Sequence, residues 1–282
     1  MNRHHLNTVF CLSCKAALST CFLVLIFFLA RITWNGISTI DFGFLFSPSK
    51  NFGMEGGIFY QITGTLLMVA FAGMLSLTLA LGTALFQSEY LENRFLQKAL
   101  KMLIYGLNGI PSILFGIFGL IFFVIILSMG ISWFVGAMVL AMMILPTVIL
   151  STYQSINSIP ESYRETALAL GFNKWELIMK VLIPQGFGGA TTGLLLGMGR
   201  AAGETAPIMF VATAFSGVEF PYSFAEPVST LPTHILALAQ QASNPQALEN
   251  AWGASFVLLF IVMILNGSAL YSRIKFKTAS FR

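Results

Sequence analysis

Arg200 and Glu204 stand four residues apart in GFGGATTGLLLGMGRAAGETAPIMFVATAF, the otherwise uncharged stretch from Gly186 to Phe215. A planar guanidinium with a fork of donors suits bidentate binding of a tetrahedral oxyanion, and it stays charged at any relevant pH. Glu204, one helical turn on, shares a face with it. An unpaired guanidinium at the centre of a bilayer costs from about 3 to more than about 10 kcal/mol, so such a residue faces protein or a water-filled path. The pair therefore offers two roles: an anion transport site, or an ion pair locking two helices. The roles coexist where an arriving anion displaces the carboxylate. At Glu204 two effects oppose, desolvation favouring the neutral form and the neighbouring arginine the charged one.

The elements that hold this pair are membrane spans. Of 282 residues, 56% are hydrophobic and 9% charged, against about 25% charged in a soluble domain. The composition is that of an all-α polytopic membrane protein. Runs of about 20 apolar residues predict six transmembrane helices: Ala16–Trp34, Ile62–Phe86, Met102–Leu127, Trp133–Tyr153, Gly186–Phe215 and Trp252–Tyr271. The net charge of +4 is sorted by loop, which excludes a nucleic-acid partner as its explanation. Arg3 and Lys15 precede span one; Arg94, Lys98 and Lys101 separate spans two and three; Arg164, Lys174 and Lys180 separate four and five; Arg273, Lys275, Lys277 and Arg282 follow six. Arg31, near the outer end of span one, Lys50 and the intramembrane Arg200 are the exceptions. The positive-inside rule then places both termini in the cytoplasm, and an even number of spans, which puts both termini on one side, agrees with that. No small-residue cleavage site follows the first span, so it reads as an uncleaved helix. Cys11 and Cys14 make a lone C-x-x-C beside Cys21, with no second pair for a metal site. The expected organisation is an N-terminal part (1–61), a core permease domain (62–271) and a basic cytoplasmic tail (272–282).

Two segments outside the spans are long enough to fold. The inner one, Ser155–Pro184, reads as two short helices. Ser158 with Glu161 suggests a capping box, with Pro160 in the first turn. Gly171 supplies a left-handed terminator, and Asn173 with Glu176 starts the second helix. There Trp175, Ile178, Val181 and Leu182 cluster on one side and Pro184 ends the run. Three acidic and three basic residues mix along the segment, which favours a docking surface for a soluble partner over a helix lying on lipid headgroups. The outer segment, Ser216–Asn250, carries Glu219, Glu226 and Glu249 without Lys or Arg. Within it, LPTHILALAQQA predicts a helix after a proline start, and His234 reads as an ordinary polar residue of that helix.

Gly197, Gly199 and Ala202 nearly match G-x-G-x-x-G/A, but inside a span and with no strand before them they are no dinucleotide fingerprint. Gly189, Gly193, Gly197, and then Gly199 and Gly203, repeat at four-residue spacing, as close helix packing requires. Span three opens with Asn108, Gly109, Pro111 and Ser112, where the proline removes a helical hydrogen bond and predicts a kink in a pore-lining helix. Pro146 and Pro207 raise the same expectation more weakly.

RETALALGFNKWELIMKVLIP resembles the cytoplasmic signature of ABC importer permeases (E-A-A, three residues, G, nine residues, I-x-L-P), with Glu165, Ala167, Gly171 and Pro184 in register. Thr166, Val181 and Ile183 depart from it mildly. NGIPSILFGIFGL and GRAAGETAPIMFVA are similar to motifs of the phosphate-specific ABC importer permeases of the PstA type, over spans two to six and the outer TLPTHILALA. The resemblance implies a type I, MetI-like permease fold in the cell inner membrane. It implies a second homologous permease subunit, an ATPase subunit dimer and a periplasmic phosphate-binding protein as partners. Arg164, Glu165, Ala167, Gly171 and Pro184 would form the ATPase-coupling segment; Arg200, Glu204, Asn108 and Ser112 become the candidate substrate path. The chain has no G-x-x-x-x-G-K-[ST] loop, so ATP and Mg belong to the partner ATPase and this chain is no enzyme. Two alternatives stay open: a permease for sulfate or molybdate, and a secondary transporter or channel working without an ATPase.

Overall fold

In hydrocarbon every backbone N–H and C=O must be paired within the segment, and helices are the solution this chain adopts. The computed structural model describes residues 3–213 and 220–279. Phe215, Glu219, Arg282 and the first residues of the expected outer segment lie outside them.

Helix α1 (Arg3–Ile37) is followed by the short α2 (Phe42–Phe46), capped by the Asp41 carboxylate, and by a two-stranded antiparallel ribbon, β1 (Ser49–Lys50) with β2 (Glu55–Gly56). Next come α3 (Phe59–Leu85), which ends in a π-helical turn at Phe86–Tyr90, α4 (Arg94–Asn108), and α5 (Ser112–Gly119), which runs on as π-helix to Ile126. Then follow α6 (Trp133–Asn157), α7 (Glu161–Ala169), α8 (Lys174–Leu177), a π-helical stretch Ile178–Leu182 and α9 (Ile183–Ala202). The described chain closes with α10 (Ala206–Val211), α11 (Leu231–Gln240) and α12 (Pro245–Ala279).

Among the described residues five helices are long and apolar enough to cross a membrane, or six if a bent pair is counted as one span. That pair covers the expected span three. Expected as one kinked helix, it consists of α4 and α5 with a 94° bend at Gly109–Pro111. Pro111 has no N–H to extend α4, and its φ of −56° with ψ of 133° starts α5 in a new direction.

The core is α3, α6 and α9 packed side by side, and small residues set their spacing. A Cβ on Gly189 or Gly193 would lie within 2.5 Å of the Ser155 or Ser151 side chain of α6, and one on Gly73 would meet Met198. Ser151 uses the closeness to donate to the Gly189 carbonyl at 2.7 Å, and Ser76 of α3 donates to Ala141 of α6 at 3.0 Å. Gly197 also faces α6, at Ile144. Gly189, Gly193, Gly197 and Gly199 are therefore packing positions, as the spacing predicts, whereas Gly203 is exposed and meets only the Arg200 carbonyl of the preceding turn. α6 runs unbroken through Pro146, where the sequence suggested a bend.

Span five departs from the expected Gly186–Phe215. Its helix starts at Lys174 and runs to Ala202, so Pro184 does not end the preceding helix. The π-helical turn at Ile178–Leu182 widens the backbone just where a proline would otherwise forfeit a hydrogen bond, and Pro184 sits in the first turn of α9. At its other end the span breaks at Gly203–Thr205, because Pro207 cannot donate to the Gly203 carbonyl, and the chain restarts as α10.

The outer segment folds as a cap. Thr230 and Thr233 close a capping box at the start of α11, and the Leu231 amide donates to Thr65 of α3 at 2.9 Å. Trp133, at the top of α6, donates its amide to Glu226 and its indole to the Ser223 carbonyl, both at 2.9 Å.

Candidate functional site

Both expected substrate-path pairs sit beside a helix break. Arg200 lies in the last turn of α9 and Glu204 in the gap before α10. Arg200 Nε stands 3.7 Å from Glu204 Oε1, with the arginine side chain 41% exposed and the glutamate 16%. This is a loose contact, too long for a hydrogen bond, and it leaves most of the guanidinium fork turned away from its partner. Asn108 closes α4, where its amide oxygen accepts from Thr147 Oγ1 of α6 at 3.1 Å, and Ser112 opens α5.

The helices that follow the two breaks pack on each other, and Ile110, in the first break, joins the same large apolar core. α5 then crosses α10 at backbone distance: a Cβ on Gly116 would lie 2.7 Å from the Pro207 Cα. No hydrogen bond or ion pair joins Arg200 or Glu204 to Asn108 or Ser112 among the described residues. One polar neighbour escaped sequence reading. Asn266 of α12 lies against Gly199, where a Cβ would come 2.6 Å from its amide oxygen. An amide in the apolar run of span six was the available signal.

On the inner side, the expected coupling residues split by role. Gly171 has φ +82° with open space around it, and Asn173 and Glu176 exchange the two hydrogen bonds of a capping box. Ala167 is buried among Ile159, Leu177, Ile178 and Leu182, which joins α7 to the helix that follows it. Arg164 points inward rather than out. Its side chain is 13% exposed and donates to Glu89 at 3.2 Å, to Glu161, and to the carbonyls of Ile156 and Ile159. The segment is thereby clamped to the π-helical end of α3, and Lys174 over the Tyr90 ring, 4.3 Å from its centre, adds a second tie. Glu165 is exposed and unpaired among the described residues.

Two expectations fail here. Ser158 caps the C-terminal end of α6 and donates to Ser155, so no capping box forms with Glu161, whose carboxylate goes to Arg164; Pro160 itself occupies the N-cap of α7. Trp175 does not join Ile178 and Leu182 in the buried side but stands 64% exposed, and Leu177 takes its place there. Between α7 and the Lys174–Leu182 helix lies a hollow of about 330 Å³ lined by Tyr163, Thr166, Leu170, Phe172 and Val181. Leu170 at its edge, and Leu168 and Trp175 elsewhere on the same segment, stay exposed.

The model of a family described as "Binding-protein-dependent transport system inner membrane component" matches residues 76–275, from within α3 to within α12. The chain belongs to this family. Among relatives of this inner membrane component is the probable ABC transporter permease protein YqgI of Bacillus subtilis, 30% identical over 87% of each chain. The probable phosphate transport system permease protein PstA of Methanocaldococcus jannaschii is 35% identical over 75% of this chain and 74% of its own. The phosphate transport system permease protein PstA of Pasteurella multocida is 28% identical over 94% and 95%. Among solved structures, a bacterial ABC transporter involved in import of the acidic polysaccharide alginate superposes with TM-score 0.63 at 16% identity, over 92% of this chain and 95% of that one. The MetNI methionine ABC transporter gives 0.62 at 14% identity, over 77% and 94%. The fold of the inner membrane component is thus the MetI-like importer-permease fold.

Proposed function

We propose that the chain is a permease subunit that passes inorganic phosphate across the cytoplasmic membrane, with Arg200 as the anion contact. The observation that carries this reading is the loosely held guanidinium at a break in span five, 41% exposed and 3.7 Å from its only ion-pair partner among the described residues. Relatives named as phosphate transport permeases supply the choice of anion. A guanidinium already engaged by a tight bidentate carboxylate would have to break two charge-assisted bonds to take phosphate; here it keeps donors to offer. Glu204 would yield to the arriving anion and recapture the arginine on release, which keeps affinity modest. Asn108 and Ser112 would line the path where span three turns.

Transport on this reading is driven from outside the chain. Phosphate arrives from a periplasmic binding protein, and a second homologous permease completes the pathway. An ATPase dimer holds ATP and Mg against the inner segment, with both termini of this chain in the cytoplasm. Glu165, exposed on α7, would meet the ATPase, while Arg164 and Ala167 hold α7 in place, and Gly171 and Pro184 shape the turn and the helix behind it. The permease core would be residues 62–271.

The test is ATP-dependent uptake of radiolabelled phosphate into vesicles carrying the whole complex. Arg200→Gln is expected to lower uptake tenfold or more, of the order of a lost charge-assisted bond pair, while the assembled complex still hydrolyses ATP. Glu165→Ala is expected to uncouple hydrolysis from uptake. Undiminished uptake by Arg200→Gln would make the Arg200–Glu204 pair structural, and equal competition by sulfate or molybdate would move the substrate to another oxyanion.

A further inference from the structure

Arg31 breaks the charge sorting of the chain, standing near the outer end of the first span, and the phosphate path gives it no task. The structure places it in a groove of about 510 Å³ between the end of α1 and the start of α12, lined also by Asn35, Ser38, Thr39, Glu249 and Trp252. The walls are fixed. A Cβ on Gly36 would lie 2.5 Å from Phe256 Cβ and 2.7 Å from the Trp252 carbonyl, and Thr39 reaches the Glu249 carbonyl at 3.4 Å. Within it, Arg31 and Glu249 are both exposed, and neither has an ion-pair partner among the described residues.

A cation and an anion that share one groove without meeting fit a ligand that carries both charges. We propose that this groove binds the headgroup of a zwitterionic phospholipid of the outer leaflet bearing a primary ammonium. Arg31 would take the phosphate, a match for its planar fork of donors, and Glu249 the ammonium. The position suits a lipid. Trp34 is exposed and Trp252 half-buried at the same end of these helices, as expected of aromatic residues at headgroup level. Below the groove, Val24, Phe27 and Phe28 of α1 and Phe260 of α12 are exposed and would lie along acyl chains.

The assembled complex, reconstituted in nanodiscs of equal parts phosphatidylethanolamine and phosphatidylglycerol and then released into mild detergent, would be examined by native mass spectrometry for retained lipid. Wild type is expected to retain phosphatidylethanolamine over phosphatidylglycerol by about tenfold, the scale of one charged contact. Arg31→Gln should lose both lipids, and Glu249→Gln should lose the preference while still retaining lipid, with ATP hydrolysis confirming that each variant assembles. Equal retention of the two lipids by wild type, or a preference unchanged in both variants, overturns the proposal. Displacement of the lipid by millimolar inorganic phosphate would make the groove a free-anion site instead. A crosslink from Arg31→Cys to another subunit of the complex would make it a protein contact.

Discussion

His234 shows how much a single side chain depends on what surrounds it. It is 5% exposed in the cap, with Nε2 unpaired, and its ring lies so close to Gly53, which has φ +93°, that a Cβ there would come 2.3 Å from the His234 Cε1. Burial lowers its pKa from 6.5 to about 4. The folded cap thus keeps the imidazole neutral where an unfolded chain would protonate it. Stability is full above about pH 6.5 and falls as the pH drops toward 4, by up to about 3 kcal/mol. Amide protection in Gly53–Met54 and α11, corrected for the intrinsic slowing of exchange toward low pH, is expected to fall between pH 6.5 and 4.5 in wild type and to change much less in His234→Gln. Protection that falls equally in both would remove His234 as the cause. The sequence shows a histidine in a helix but not its burial, since the glycine that covers it comes from the ribbon before span two. Arg200 and Glu204 were legible because charge stands out in an apolar run. The pairing of Arg164 was not legible, because its partner, Glu89, is 75 residues away.

At the scale of elements, glycine spacing was legible as packing and Pro111 and Pro207 marked breaks, while the size of the bend at Pro111 and the continuity at Pro146 and Pro184 were not legible. Period and hydropathy report which residues are apolar, not whether a proline is absorbed by a π-helical turn, as at Pro184, or turns the chain by 94°, as at Pro111. Two glycines separate the forces involved. At Gly193 a Cβ would come 2.4 Å from the Ser151 Cβ, so Gly193→Val must push α6 and α9 apart, at about 1–3 kcal/mol or more. At Gly171 space is open and only the positive φ resists. Gly171→Val should therefore cost about 1–2 kcal/mol and Gly171→Asn clearly less. Thermal melts of the detergent-purified complex check the order, with Gly193→Val lowest and Gly171→Asn nearest wild type; a Gly171→Asn as damaging as Gly171→Val would mean the turn does more than reverse the chain.

For the whole molecule, the all-helical, many-span architecture was the most legible feature, because the bilayer imposes length and hydropathy on the sequence directly. Orientation is testable. A membrane-impermeant maleimide should label Cys14 in inside-out vesicles of a variant keeping that cysteine alone, and Ser243→Cys, in the loop before α12, in right-side-out vesicles; the reverse pattern would invert the chain. α1 is exposed along most of its length and packs chiefly on α12, so its apolar surface is left for lipid or another subunit. The unbroken helix Lys174–Ala202 has a further consequence. Its 29 residues make a rod about 43 Å long, with Lys174 and the junction to α7 at one tip and Arg200 at the other. If Arg200 contacts the anion as proposed, a pivot near the Lys174 end turns a tilt of about 5° into a sideways travel of roughly 4 Å at the guanidinium, about the gap between a charge that holds an anion and one that has let it go.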